Sequence, residues 1–265
     1  VKSGAAEREP IVLQRRPGPL YEVSAMVLED ETHGPMLCLG AVLTSLPPQC
    51  GDVRIAGWDW RAVAGAETAR GTTWGMYDVV GRYDGKVFVV TEVGPYEANP
   101  SAVGTDVDFA TPCREPAGGW TGLDEATQDD ARAALAYARS QPGYVTSWVT
   151  HLDAAKLEFG PVIVNAVFTA NRMRHQMAIR NVWGGPLCVV ERDVRTAREL
   201  RRIRREAEAT LDGLGVQILW SSGPGTEPIV EICVVVDSGT RAQAALNERY
   251  GLGVVRLLPV LTPAS

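Results

Sequence analysis

The second half of this sequence contains one pattern twice, and that repetition limits the folds open to the chain more than anything else in it. Helical periodicity runs from about Leu123 to Ser140, opened by Asp124-Glu125 and closed by Pro142-Gly143, with Ala131, Leu135 and Ala138 on its inner face. Strand patterns follow at 144–149 and 162–169, then a helix over 172–183 ended by Gly184-Gly185, then a strand over 187–191. A second series begins at once. Its long helix, 194–212, buries Leu200, Ile203, Ala207 and Leu211; strands at 216–221 and 229–236, a helix at 240–250 and a strand at 254–259 complete it. At a constant offset, Ala178-Ile179, Trp183-Gly184 and Leu187 fall opposite Ala245-Leu246, Tyr250-Gly251 and Val254. Like matches like, which predicts an internal duplication of an αββαβ unit over residues 123–260. Strand 187–191 followed by the second series spells βαββαβ, the order of a four-stranded ferredoxin-like sheet.

The first half follows a different pattern. Residues 1–20 are a tail, because Arg15-Arg16-Pro17-Gly18-Pro19 continues neither a helix nor a central strand. From residue 21 to 95 the period is two: Val23, Ala25 and Val27 alternate with polar positions, and Met36 to Leu43 is a compact apolar run. Trp74 to Tyr83 and Lys86 to Val93 flank Asp84-Gly85, the sequence of a type I′ hairpin turn. Four or five short strands here predict a small antiparallel β-barrel, with the OB-like form as the leading version. The Pro- and Gly-rich stretch 96–122 lacks periodicity and is expected to be a linker. The fold class is therefore α+β.

Composition narrows the function classes. Lys and Arg number 26 against 32 Asp and Glu, a formal charge of −6, which argues against a surface built for nucleic acid. No apolar run is long enough for a membrane-spanning segment. The chain opens Val1-Lys2-Ser3-Gly4 without a signal peptide, and a first residue other than Met leaves a removed leader open. The five cysteines form no CxxC pair and only three histidines accompany them, so neither a metal nor a cofactor is expected. Cys38 and Cys50 flank a Ser45-Leu46-Pro47-Pro48 turn and are either a small-loop disulfide or two buried thiols. Cytoplasmic and extracytoplasmic settings both stay open on that count, with the extracytoplasmic or secreted one preferred.

No Gly-x-Ser-x-Gly elbow and no His-Glu-x-x-His helix occurs, and His33, His151 and His175 lie on different elements. Gly223-Pro224-Gly225 precedes a strand and reads as a hairpin loop; Gly251 reads as a helix stop. Six arginines between 195 and 205 face Glu199, Glu206, Glu208 and Asp212, the mixture of a solvated helix face. Ligand binding is best sought among aromatics. Trp58-Asp59-Trp60 places two indoles on one side of an extended segment and a carboxylate opposite, with Trp74 and Tyr77 on the hairpin nearby in sequence. Such a group holds a sugar or a peptide, or else fills the barrel. Asp59, Asp78 and Glu92 are the candidate acids of a hydrolase alternative.

Two resemblances add to this. Leu37-Cys38-Leu39-Gly40, Ser45-Leu46-Pro47-Pro48-Gln49-Cys50-Gly51 and Gly57-Trp58-Asp59-Trp60, with Trp74-Gly75 and Tyr83-Asp84-Gly85, resemble a group of uncharacterised actinobacterial proteins, a likeness that implies no activity. The doubled αββαβ series, with Glu248-Arg249-Tyr250-Gly251 before Val254-Val255-Arg256, loosely resembles the pro-regions of secreted serine proteases of the α-lytic type, which assist folding of a protease and inhibit it. No protease follows Ser265 in this sequence. The leading expectation is a non-enzymatic, extracytoplasmic binding or interaction protein for an unknown protein or small ligand. The rivals are a hydrolase with a site at the domain junction, and a stand-alone inhibitor or folding helper presenting residues 261–265. Oligomeric state is not legible.

Overall fold

A computed structural model describes residues 19–43, 45–97, 107–122, 126–152, 160–237 and 241–264. The tail over residues 1–18, the middle of the expected linker and the Leu123-Asp124-Glu125 helix start lie outside the described residues. The chain divides into two compact units, Val1–Glu97 with Thr262–Ser265, and Ala98–Leu261.

The first unit is a closed barrel. Strand β1 (Leu20–Glu29) pairs antiparallel with β2 (Met36–Cys38), β2 with β3 (Val53–Ala56), and β3 runs parallel to β6 (Val87–Pro95). Strand β6 pairs antiparallel with β5 (Thr72–Tyr83), and β5 closes the ring on β1 over ten residue pairs from Leu20↔Arg82 to Glu29↔Thr73. Closure gives each of these five strands a partner on both sides over part of its length. Short β4 (Glu67–Ala69) is added to β5, and β13 (Thr262–Pro263) to β1. The alternation of Val23, Ala25 and Val27 is met: all three are buried, with Val53, Ile55, Tyr77, Val79, Tyr83 and Phe88. At Gly81 the Phe88 ring and the Val89 carbonyl fill the space a β-carbon would need, and the β5–β6 register shifts there. The hairpin turn is displaced by one residue from Asp84-Gly85. Asp84 N–H donates to the Val87 carbonyl, so Gly85 and Lys86 are central, and only Gly85 takes a positive φ, 95°. The Asp84 carboxylate accepts the Lys86 and Val87 N–H groups, which fixes the acid outside the centre of the turn.

The second unit contains α1 (Gln128–Ser140), β7 (Tyr144–His151), β8 (Val162–Phe168), α2 (Arg172–Arg180) and β9 (Leu187–Glu191). It continues with α3 (Ala197–Gly213), β10 (Ile218–Ser222), β11 (Val230–Val234), α4 (Arg241–Tyr250) and β12 (Val255–Pro259). Two three-stranded sheets result, β7-β8-β9 and β10-β11-β12, each with its first pair antiparallel and its second parallel. The four-stranded sheet expected from strand 187–191 and the second series is therefore not what forms. Strand β9 lies parallel to β8, with Ala166 opposite Val189, because the α2 crossover returns the chain to its own sheet.

Each series has its own core. Ala131, Ala134, Ala138, Val164, Phe168, Ile179 and Trp183 fill the first; Leu200, Ile203, Ala207, Leu211, Ile232, Leu246 and Tyr250 fill the second. Helices α1 and α3 start alike, on capping boxes in which Thr127 and Asp130, and Thr196 and Glu199, exchange hydrogen bonds. Gly251 takes the left-handed conformation expected of a helix stop, φ 99°. Gly184 does not; α2 ends earlier, at Asn181, and the Arg180 guanidinium binds the carbonyls of Trp183 and Gly185. The expected linker is, over residues 107–122, part of the second unit: Trp148 Nε1 and Thr150 Oγ1 both donate to the Phe109 carbonyl, and Cys113 is bonded to Cys188 on β9.

Candidate functional site

After β3, Gly57 adopts φ 83°, a conformation costly for other residues, and the chain turns so that Trp58-Asp59-Trp60 leads into a short 3-10 turn over Trp60–Ala62. Asp59 is extended (φ −133°, ψ 109°), and its neighbours project to the same side. The two indoles meet edge to face with centroids 5.3 Å apart, and both lie against Tyr77, at 5.0 Å for Trp58 and 6.3 Å for Trp60. Each such pair contributes about 1 kcal/mol beyond its burial. Tyr77 is buried on the inner side of β5, its ring lying over Gly75, where a β-carbon would come within 2.5 Å of the hydroxyl. Trp58 and Trp60 are half-buried.

Polar atoms in this group are unevenly matched. Trp60 Nε1 donates to Glu29 Oε2. Trp58 Nε1 and Tyr77 Oη are buried with no hydrogen-bond partner among the described residues, and Asp78 Oδ1 is in the same position. Leaving such a group unpaired costs about 1–3 kcal/mol. Burial pushes the Tyr77 phenol up from its ordinary value, so it stays protonated and keeps its donor.

Trp74 does not join this group. Positions 74 and 77 have opposite parity on a strand whose side chains alternate, so Trp74 faces the other way and packs on Leu28 and Cys38, with Met26, Val42, Cys50 and Ala69 around it. Cys38 is bonded to Cys50, which settles the alternative left open by their spacing. The sequence reading missed the second bridge, Cys113–Cys188; 75 residues separate its ends and no local spacing marks it. Cys233 is buried on β11, outside both bridges.

The three candidate acids are engaged separately. Asp59 points away from the indoles and forms a fork with Arg61, Nε to Oδ1 at 3.0 Å and Nη2 to Oδ2 at 3.2 Å, and this pairing holds its carboxyl below the ordinary range. Asp78 Oδ2 accepts the Glu97 N–H, and Glu92 is exposed opposite Val80. His33 is exposed beside Asp30 and Thr32, His151 is exposed at the end of β7, and His175 is buried against Phe168. Among the described residues no group of three His, Cys, Asp or Glu side chains is placed to hold a metal ion, and no helix is long and apolar enough to cross a membrane. The C-terminal segment is engaged as well: Leu261 is buried, and Thr262 and Pro263 pair with Glu22 and Tyr21.

Fold and site together define an α+β protein with a closed five-stranded barrel, an aromatic group at its wall and two disulfides. Comparisons of the chain with protein-family models, with curated proteins and with solved structures each found no match.

Proposed function

We propose that this is an extracytoplasmic, non-enzymatic binding protein that takes a carbohydrate ligand at Trp58, Trp60 and Tyr77. The observation that carries this reading is the pair of donors without a partner among the described residues, Trp58 Nε1 and Tyr77 Oη, in a group with two half-buried indoles. An aromatic plug that served packing alone has no need of buried polar atoms, and phenylalanine would fill the same space without their desolvation cost. Aromatic faces cover the C–H faces of a sugar ring, while N–H and O–H donors meet its hydroxyls.

The strand order β1-β2-β3-β6-β5 returning to β1, with β3 and β6 parallel, supports an OB-like barrel, a type whose surfaces bind oligosaccharides as well as oligonucleotides. Two series of identical order, with Ile179 and Leu246, and Trp183 and Tyr250, buried at equivalent places, support an internal duplication of an αββαβ unit. Two disulfides support the extracytoplasmic setting.

The test is calorimetric titration of the full chain with soluble chito- and cello-oligosaccharides. Binding is expected, weakened by roughly tenfold or more in Trp58→Ala and Trp60→Ala. Tyr77→Phe is expected to weaken it while leaving the urea midpoint equal or higher. No heat with either oligosaccharide series, or unchanged affinity in both tryptophan variants, would overturn the assignment. For the compartment, thiol titration of the unfolded, unreduced chain should count one thiol; five would defeat it.

A further inference from the structure

The second unit holds a cavity of about 350 Å³ that plays no part in the reading above. One wall is the segment 107–112; the others are Trp148 of β7, Arg192 just after β9, the 223–229 turn region and the β11–β12 pair. Its fixed charges are unevenly balanced. Glu231 and Arg256 are register neighbours on parallel strands, and Arg256 is shared between Glu231 at 3.3 Å and Glu227 at 2.9 Å. One guanidinium between two carboxylates leaves that side of the cavity with a surplus negative charge. Asp108, whose carboxylate accepts the Ala110 N–H and has no cationic partner among the described residues, brings a further negative charge to the cavity. Arg192 also lines the cavity, is half-buried, and has no acidic partner among the described residues. The remaining lining is mixed, with apolar Val107, Pro112, Trp148 and Ile229 beside Thr111 and Thr226.

We propose that this cavity binds a small zwitterion with an apolar side chain, a free α-amino acid or a short peptide. Arg192 receives the ligand carboxylate, and the Glu227–Arg256–Glu231 group with Asp108 receives its ammonium. The side chain lies along Val107 and Trp148. A partner bearing one charge alone leaves the other charged group uncompensated, and a neutral apolar molecule leaves both so. The volume falls at the lower end of small-ligand pockets, which suits one or two residues of peptide rather than a larger cofactor. The wall that carries Asp108 is fixed before any ligand arrives. The Cys113–Cys188 bridge and the hydrogen bonds from Trp148 and Thr150 to the Phe109 carbonyl hold it on the sheet, so little ordering entropy is left to lose on binding.

The experiment is isothermal titration of the intact, disulfide-bonded chain with phenylalanine, leucine and the dipeptide of leucine. Two single-charge analogues accompany them, phenethylamine and phenylacetate. At least one zwitterion is expected to bind, with both analogues weaker by roughly tenfold or more. Arg192→Gln should lower zwitterion affinity by a similar factor and leave phenethylamine unaffected, with near-UV circular dichroism confirming the fold. Arg192→Lys should restore part of the loss. A dipeptide that binds where the amino acids do not supports the peptide form of the ligand. The proposal is overturned if no zwitterion gives heat, if an analogue binds as tightly, or if Arg192→Gln changes nothing. Tyr77→Phe is the control, since loss of the barrel site leaves this titration unchanged.

Discussion

His175 shows what burial does to one titratable side chain. It lies in the core of the first helical series, its ring stacked on Phe168 with centroids 3.8 Å apart and Nδ1 3.2 Å from Tyr137 Oη. Desolvation, with the Arg174 charge beside it, holds its pKa below the ordinary value. The folded chain thus favours neutral imidazole more than the unfolded chain does. The contribution to stability is fully present above the unfolded value, about 6.5, and is lost as pH falls through the lower folded value. Urea midpoints measured from pH 8 downward should stay level and then decline through this range, and His175→Phe should flatten that part of the profile. An unchanged profile in the variant would assign the decline to other groups. At Tyr77 the expected outcome has the opposite sign for stability and function: removing an unpartnered buried hydroxyl raises stability by about 1 kcal/mol in Tyr77→Phe, read from urea unfolding, while sugar affinity drops.

At the scale of elements, the helix starts lie later than periodicity places them, at Gln128 against about Leu123 and at Ala197 against Val194, because the capping boxes at Thr127 and Thr196 set them. Thr196 and Glu199 satisfy two otherwise unpaired donors of α3, and Thr196→Ala should cost about 1 kcal/mol; a loss within error would show that the first turn is held by its tertiary packing instead. Periodicity also made the inner face of α3, the hairpin of β5 and β6 and the order of all four helices legible, because each is set by neighbours a few residues apart. What was not legible depends on partners distant in sequence. Nothing near Leu187–Glu191 says that it returns to β8 rather than joining the next sheet, and closure of the barrel rests on β1 meeting β5 across the intervening strands. Within the candidate site, the convergence of Trp58 and Trp60 followed from their spacing. The separation of Trp74 from Tyr77 also follows from strand parity once both are placed on β5, whereas the lack of partners for Trp58 Nε1 and Tyr77 Oη among the described residues depends on tertiary packing that no local spacing encodes.

At the scale of the whole molecule, the two bridges are unequal. Cys38–Cys50 spans 12 residues and Cys113–Cys188 spans 75; in the chain-entropy model they contribute about 3 and about 4 kcal/mol respectively. Replacing Cys113 and Cys188 by alanine should therefore lower the unfolding free energy of the second unit more than replacing Cys38 and Cys50 lowers that of the first. Equal losses would show that strain or residual structure outweighs loop length. The first unit is also discontinuous, since Thr262 and Pro263 pair with Tyr21 and Glu22 although residues 98–261 form the other unit. Topologically, then, the helical half is a guest spliced in ahead of its host's last strand. Anyone excising the host must graft that short strand back through a designed tether, or leave one flank of β1 bare and open to stray pairing between molecules.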